Sequence, residues 1–162
     1  EKCRACVALG ADFAINYRAQ DFVEEVRKFT DDKGVDVILD IVAGDYVTRN
    51  YKAAALNGRI IQVGIQNGAA KELNLMPMLA KRLTHTGSTL RSRTVAEKAQ
   101  IAQELERLVW PLLHQGKIKP QIFKTFRLEE AARAHALMES GTHIGKIVLT
   151  TGAIEIHRLT HN

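Results

Sequence analysis

Cysteine is nearly absent. The chain has two, Cys3 and Cys6, spaced C-x-x-C on what reads as one helical turn. A redox pair of this spacing usually follows a strand, and a structural zinc needs a second pair; neither is present. The two therefore read as helix thiols in a reducing compartment, and a cytoplasmic location is expected. The six histidines contain no H-E-x-x-H and no paired ligand spacing, so they read as solvated or core-edge residues and no metal site is expected. No apolar run is long enough to cross a bilayer, "VDVILDIVAG" being too short and too interrupted, so no membrane association is expected. The formal charge of +5 is scattered with no Lys/Arg run, which argues against a nucleic-acid partner. No G-x-G-x-x-G phosphate loop occurs, no secretory or transit peptide is visible, and the chain starts without Met. Glu1 to Leu9 reads as a helix already under way.

What is there alternates between strand and helix signals. "DFAINY" (12–17) reads as a short strand. "AQDFVEEVRKFT" (19–30) sets Phe22, Val23, Val26 and Phe29 on one helical face, with Asp21 and Glu24 placed as a capping box. Gly34 ends that unit. "VDVILDIV" (35–42) is nearly all apolar, as a parallel strand covered on both faces would be. A helix over 45–56 should stop at Asn57-Gly58, before a second buried strand, "RIIQVG" (59–64). A helix broken or started near Pro77 lies within 73–83, followed by the β-prone "THTGSTL" (84–90). Thr94 with Glu97 should cap a helix running to about Gln115, bent by Pro111. "QIFKTF" (121–126), "LEEAARAHALMES" (128–140) and "GKIVLT" (145–150) read as strand, helix and strand; the tail after them has no assigned place.

This alternation indicates an α/β fold with a mainly parallel sheet. Ligands of such sheets sit at the carboxyl ends of the strands, at the topological switch point. Three strand ends qualify: Asp40 to Gly44, Val63 to Gln66, and Thr89 to Ser92. Gly64 and Gly68 would allow close backbone approach there, or serve only as turns.

The stretches "GADFAINYRAQDFVEEVRKFTDDKGVDVILDIVAGDY", "ALNGRIIQVGIQNG", "STLRSR" and "AARAHALMESGTHIGKIVL" resemble the zinc-independent, zeta-crystallin-like NADPH:quinone oxidoreductase branch of the medium-chain dehydrogenase/reductase family. The likeness covers most of residues 1–150, in family order. It implies a partial Rossmann fold, a doubly wound parallel sheet lacking its first βαβ, followed by the C-terminal return segment to a GroES-like domain. On that basis residues 1–117 would be the partial dinucleotide-binding domain, 118–150 the return segment, and 151–162 a tail without a role. With the family strand order 3-2-1-4-5-6, the two central strands would be absent. "VDVILD" would then have one bare edge, "QIFKTF" and "GKIVLT" would also lose partners, and the isolated chain should be marginally soluble.

The resemblance also implies site residues. Lys2 and Tyr17 match positions that hold the adenosine 2′-phosphate of NADPH; from the residues alone they read as a solvated helix lysine and a strand-end aromatic with its hydroxyl in water. Gly64, Ile65 and Gln66 match a loop beside the ribose and nicotinamide, and Leu90, Arg91 and Ser92 match the strand end near the carboxamide. Arg91 and Arg93 are equally ordinary surface charges. Gly141 replaces a side chain that reaches the cofactor in some relatives. The implied reaction is hydride transfer from NADPH to a quinone or another conjugated carbonyl, in a homodimer paired near "THTGSTL", with no catalytic acid identifiable and the fragment inactive alone. The rivals are a zinc-dependent alcohol dehydrogenase, an enoyl or alkenal reductase, and a non-catalytic interaction module.

Overall fold

A computed structural model describes residues 1–151. The chain divides into two compact units, one of Cys6–Ile101 and one joining Glu1–Ala5 to the chain from Ala102 onward.

In the first unit three parallel strands form one sheet in the order β1-β2-β3: β1 Val35–Asp40, β2 Ala54–Gln62 and β3 Thr84–Gly87. Helix α1 (Lys2–Ala8) begins the chain, α2 (Phe22–Phe29) precedes β1, α3 (Tyr46–Ala53) connects β1 to β2, and α4 (Met76–Ala80), with Pro77 in its first turn, leads to β3. Register sets the side-chain rows. Ile38 lies opposite Ile60 and Ile60 opposite His85. On that face Tyr51 and Ala54 pack against Ile60, with Ile38, Val47, Met78 and Leu83 around them. The Tyr51 hydroxyl lies 2.8 Å from His85 Nδ1. The next row on the same face, at the carboxyl end, is polar: Asp40 opposite Gln62, and Gln62 opposite Gly87.

Several sequence expectations are corrected. β1 is not covered on both faces: Val37 and Leu39 are 47% and 68% exposed, because α3 and α4 supply core partners to the Ile38–Ile60 face. Residues 12–17 form no strand. No neighbouring strand pairs with them; they line an apolar cleft of about 360 Å³ with Val26, Phe29 and Val35, and Phe13 stacks on Phe29 with centroids 5.3 Å apart. The helix over 45–56 ends early, at Ala53. The Lys81 ammonium donates to the carbonyls of Tyr51, Lys52 and Ala54 at 3.2, 2.7 and 2.6 Å and so closes the helix end. Asn57 and Gly58 lie within β2. Asn57 takes a left-handed φ of 60°, and its N–H donates to the Lys81 carbonyl at 2.7 Å.

Helix α2 starts as its sequence requires. Asp21 Oδ1 accepts the N–H groups of Val23 (2.8 Å) and Glu24 (3.3 Å), while Glu24 faces Arg27 rather than closing a capping box. Helix α5 (Val95–Leu108) carries the full box: Thr94 N–H donates to Glu97 Oε2 at 2.8 Å and Glu97 N–H to Thr94 Oγ1 at 3.3 Å. It does not reach Gln115. The chain breaks at Val109, and a new helix, α6 (Trp110–His114), has Pro111 in its first turn, where a missing N–H is harmless.

These two caps set an acid limit. The Val23 N–H bond holds the Asp21 carboxyl below its ordinary range, and the Thr94 N–H bond does the same to Glu97. A carboxyl lowered in the folded state stabilises it above the ordinary carboxylate pKa, and that contribution is lost as pH falls through the lowered value. Asp21→Asn together with Glu97→Gln should therefore flatten the acid limb of a urea-midpoint-against-pH curve. An unchanged limb would mean that the caps do not titrate with folding.

The second unit pairs β4 (Ile122–Arg127) with β5 (Lys146–Thr150) in parallel, so the two strands expected to lose partners pair with each other. A single 3-10 turn (Leu128–Glu130) and α7 (Ala131–Glu139) connect them, with Phe126 and Ala134 buried. The tail from residue 152 lies outside the described residues.

Candidate functional site

The strand ends of the first unit converge. The polar row begins with Asp40, 5% exposed, whose carboxylate accepts three N–H groups: Val42 (2.6 Å) and Ala43 (3.1 Å) on Oδ1, and Asn50 Nδ2 (2.8 Å) on Oδ2. These bonds wrap residues 41–44 into a tight loop in which Ala43 takes φ 60° and Gly44 φ 57°. Left-handed backbone costs a non-glycine residue about 1–2 kcal/mol, so Ala43 needs such fastening.

The β2 end docks on that loop. Val63 N–H donates to the Asp40 carbonyl (2.9 Å), Gln66 N–H to Ile41 (3.3 Å) and Asn67 N–H to Val42 (2.8 Å), and Gly44 N–H returns to Gly68 (3.0 Å). The Gln62 amide donates to the carbonyls of Asp40 (3.1 Å) and Gly64 (2.6 Å), while its Oε1 is buried with no partner among the described residues. A side chain at Gly64 would put its Cβ 2.9 Å from the Ile41 carbonyl oxygen, so glycine is needed for close approach rather than for a turn.

Half-buried Gly64 and exposed Ile65 and Gln66 thus form one lip, with Ile65 67% exposed. Leu90, Arg91 and Ser92 form an exposed turn beyond β3, tied by Arg93 N–H to the Leu90 carbonyl (3.3 Å) and by the Lys98 ammonium to the Arg91 carbonyl (3.3 Å). Tyr17 opens a turn and is 66% exposed. In the second unit the Lys2 ammonium donates to the Gly141 carbonyl at 2.6 Å. Cys3 and Cys6 are free thiols. Among the described residues no cluster of three or more His, Cys, Asp or Glu side chains could hold a metal ion, and no helix is long and apolar enough to cross a membrane.

Asn50 and Gln62 were not legible as site residues. Asn50 did leave a trace: it falls on the face that Val47, Tyr51 and Ala54 bury, and a polar residue there needs a buried partner.

In a parallel α/β sheet of this kind, ligands bind in the crevice at the carboxyl ends of the strands. The model of the zinc-binding dehydrogenases matches residues 9–149, and the chain belongs to that family, within the medium-chain dehydrogenases/reductases. It is 32% identical to a synaptic vesicle membrane protein VAT-1 homolog of Danio rerio, over 88% of this chain and 32% of that one. It is 30% identical to a quinone oxidoreductase of Rattus norvegicus, over 86% of this chain and 41% of that one. The crystal structure of an NAD-dependent alcohol dehydrogenase superposes with a TM-score of 0.75 at 34% identity, covering 93% of this chain and 41% of that one. The chain therefore spans about a third to two-fifths of the length of these relatives. Its fold is the Rossmann-type α/β fold of the family.

Proposed function

We propose that this chain supplies the coenzyme-facing part of an oxidoreductase that transfers hydride from NADPH to a quinone or another conjugated carbonyl. The observation that carries the proposal is the lip at the carboxyl end of β2: Gly64, where any Cβ would meet backbone, followed by the exposed residues Ile65 and Gln66. NADPH, when bound, supplies the hydride. The chain's residues do the rest. Gly64–Gln66 and Leu90–Ser92 orient the nicotinamide end through backbone groups. On the family likeness, Tyr17 in one unit and Lys2 in the other are each proposed separately as a 2′-phosphate contact, a hydroxyl and a cation, although the Lys2 ammonium here donates to the Gly141 carbonyl.

In this reading residues 1–117 belong to the coenzyme domain and 118–150 to the segment returning to a catalytic domain. The enzyme is cytoplasmic and dimeric through the outer strand β3, and the chain alone does not turn over quinones. Support for the quinone branch comes from the rat relative. The alcohol dehydrogenase neighbour, at 34% identity, supports a second reading with an alcohol or aldehyde substrate.

Titration of NADPH into the chain, read by nicotinamide fluorescence, should saturate. Lys2→Ala and Tyr17→Phe should each weaken NADPH by about tenfold while leaving NADH unchanged, the size of one charge-assisted contact. A flat titration would overturn the nucleotide reading. Equal losses for both nucleotides would remove Lys2 and Tyr17 from it.

A further inference from the structure

We propose that Asp40 and Asn50 form a positioning pair that sets the placement of the Gly64–Gln66 lip, and through it the affinity for the nicotinamide half of a pyridine nucleotide. The nicotinamide clause rests on the nucleotide reading above; the placement itself does not.

Both residues are 5% exposed, and among the described residues no Lys, Arg or His forms an ion pair with Asp40. A buried carboxylate without a cation is tolerated only when N–H donors satisfy it. Here both oxygens accept: Oδ1 takes the Val42 and Ala43 amides and Oδ2 takes Asn50 Nδ2. A carboxylate is the side chain that accepts on both oxygens at this size, whereas an amide accepts on one and donates on the other. The pair fastens α3 to the loop after β1, and that loop carries the carbonyls of Ile41 and Val42, which receive Gln66 and Asn67. A shift of the loop moves the lip with it. Asp40 and Asn50 themselves are buried.

The pairing makes a reciprocal demand. Asn50→Asp sets two carboxylates side by side in a buried site, which repels the loop. Adding Asp40→Asn exchanges the partners: the amide now at position 40 would accept the Val42 and Ala43 N–H groups and donate to the carboxylate at position 50. Asp40→Asn alone needs only a flip of the Asn50 amide.

Hydrogen exchange on the full chain reads the placement. In Asn50→Asp, protection at Val42, Ala43, Gln66 and Asn67 should fall about tenfold or more while the α2 amides hold; the double exchange should restore it. Binding reads the consequence. NADPH should weaken about tenfold in Asn50→Asp and return to within about threefold in the double variant, while 2′,5′-ADP, which carries the adenosine end alone, binds all forms equally. A merely structural role would weaken both nucleotides together. The pair is overturned if the double variant is no better than Asn50→Asp or fails to fold, if protection at the lip is unchanged, or if 2′,5′-ADP is lost in parallel. If the unaltered chain binds neither nucleotide, the nucleotide reading fails, and the exchange data alone decide the pair.

Discussion

Replacing Ile60 by alanine should remove about 2–5 kcal/mol of stability, a large fraction of the about 5–15 kcal/mol that holds a typical domain folded. Ile60 is 1% exposed and sits at the centre of the sheet, opposite Ile38 on one side and His85 on the other. Tyr51 and Ala54 lie against it, so the vacated volume is bounded by side chains and by the β2 backbone, and it cannot collapse freely. Ile60→Val deletes one methylene and should cost about 0.5–1.5 kcal/mol. Leu39, 68% exposed on the opposite face, is the control: Leu39→Ala should stay within about 0.5 kcal/mol of the starting protein. Urea denaturation followed by circular dichroism measures all three. Should Leu39→Ala prove as damaging as Ile60→Ala, the open face of the sheet is covered in solution, and the one-sided core described above is wrong.

Gly64→Ala should be the most damaging single change at the lip. Its Cβ would meet the Ile41 carbonyl oxygen at 2.9 Å and the Ile41 Cα at 3.3 Å, and both are backbone atoms that no rotamer change can clear. The β2 end must then move off the loop after β1. That strains Gln66 N–H to Ile41 and Asn67 N–H to Val42, and it uncovers Gln62. Overpacking of this kind costs about 1–3 kcal/mol in stability. The same displacement should weaken NADPH by tenfold or more, about 1.4 kcal/mol, because the lip would no longer present its backbone at the binding height. Gly68→Ala separates space from conformation. Its Cβ meets nothing within 4 Å, but φ is +70°, so it should cost about 1–2 kcal/mol through left-handed strain and spare the contact between the loops. Equal NADPH losses in the two variants would show that close approach at Gly64 is not what the site requires.

Some of this was readable from residue order because the forces are local. Asp21 and the Thr94–Glu97 pair cap helices within three residues of themselves. The resemblance placed the chain in its family through motifs that follow in order, and the strands behind those motifs exist, apart from residues 12–17. The errors share one cause. The helix expected to stop at Asn57-Gly58 is closed at Ala53 by Lys81, a side chain more than twenty residues away, and Asn57 is held in its left-handed turn by the same segment. Residues 12–17 have strand composition, but a strand exists only where a neighbour pairs with it. "VDVILD" is apolar throughout, yet composition does not say how many faces are covered.

Amino-acid order alone settled the alternation of helices and parallel strands, the caps at Asp21 and at Thr94–Glu97, and the family, but Pro111, expected only to bend one helix, lies in the first turn of a second one. The tertiary structure alone decided the register that lines up Ile38, Ile60 and His85 as core, and Asp40, Gln62 and Gly87 as the polar row. It also decided that Asn50 meets Asp40 across a turn of chain. The physical reason is range. Caps and helix breaks are satisfied by groups a few residues away, whereas register and buried polar pairing depend on hydrogen-bond partners that become neighbours only when the chain folds.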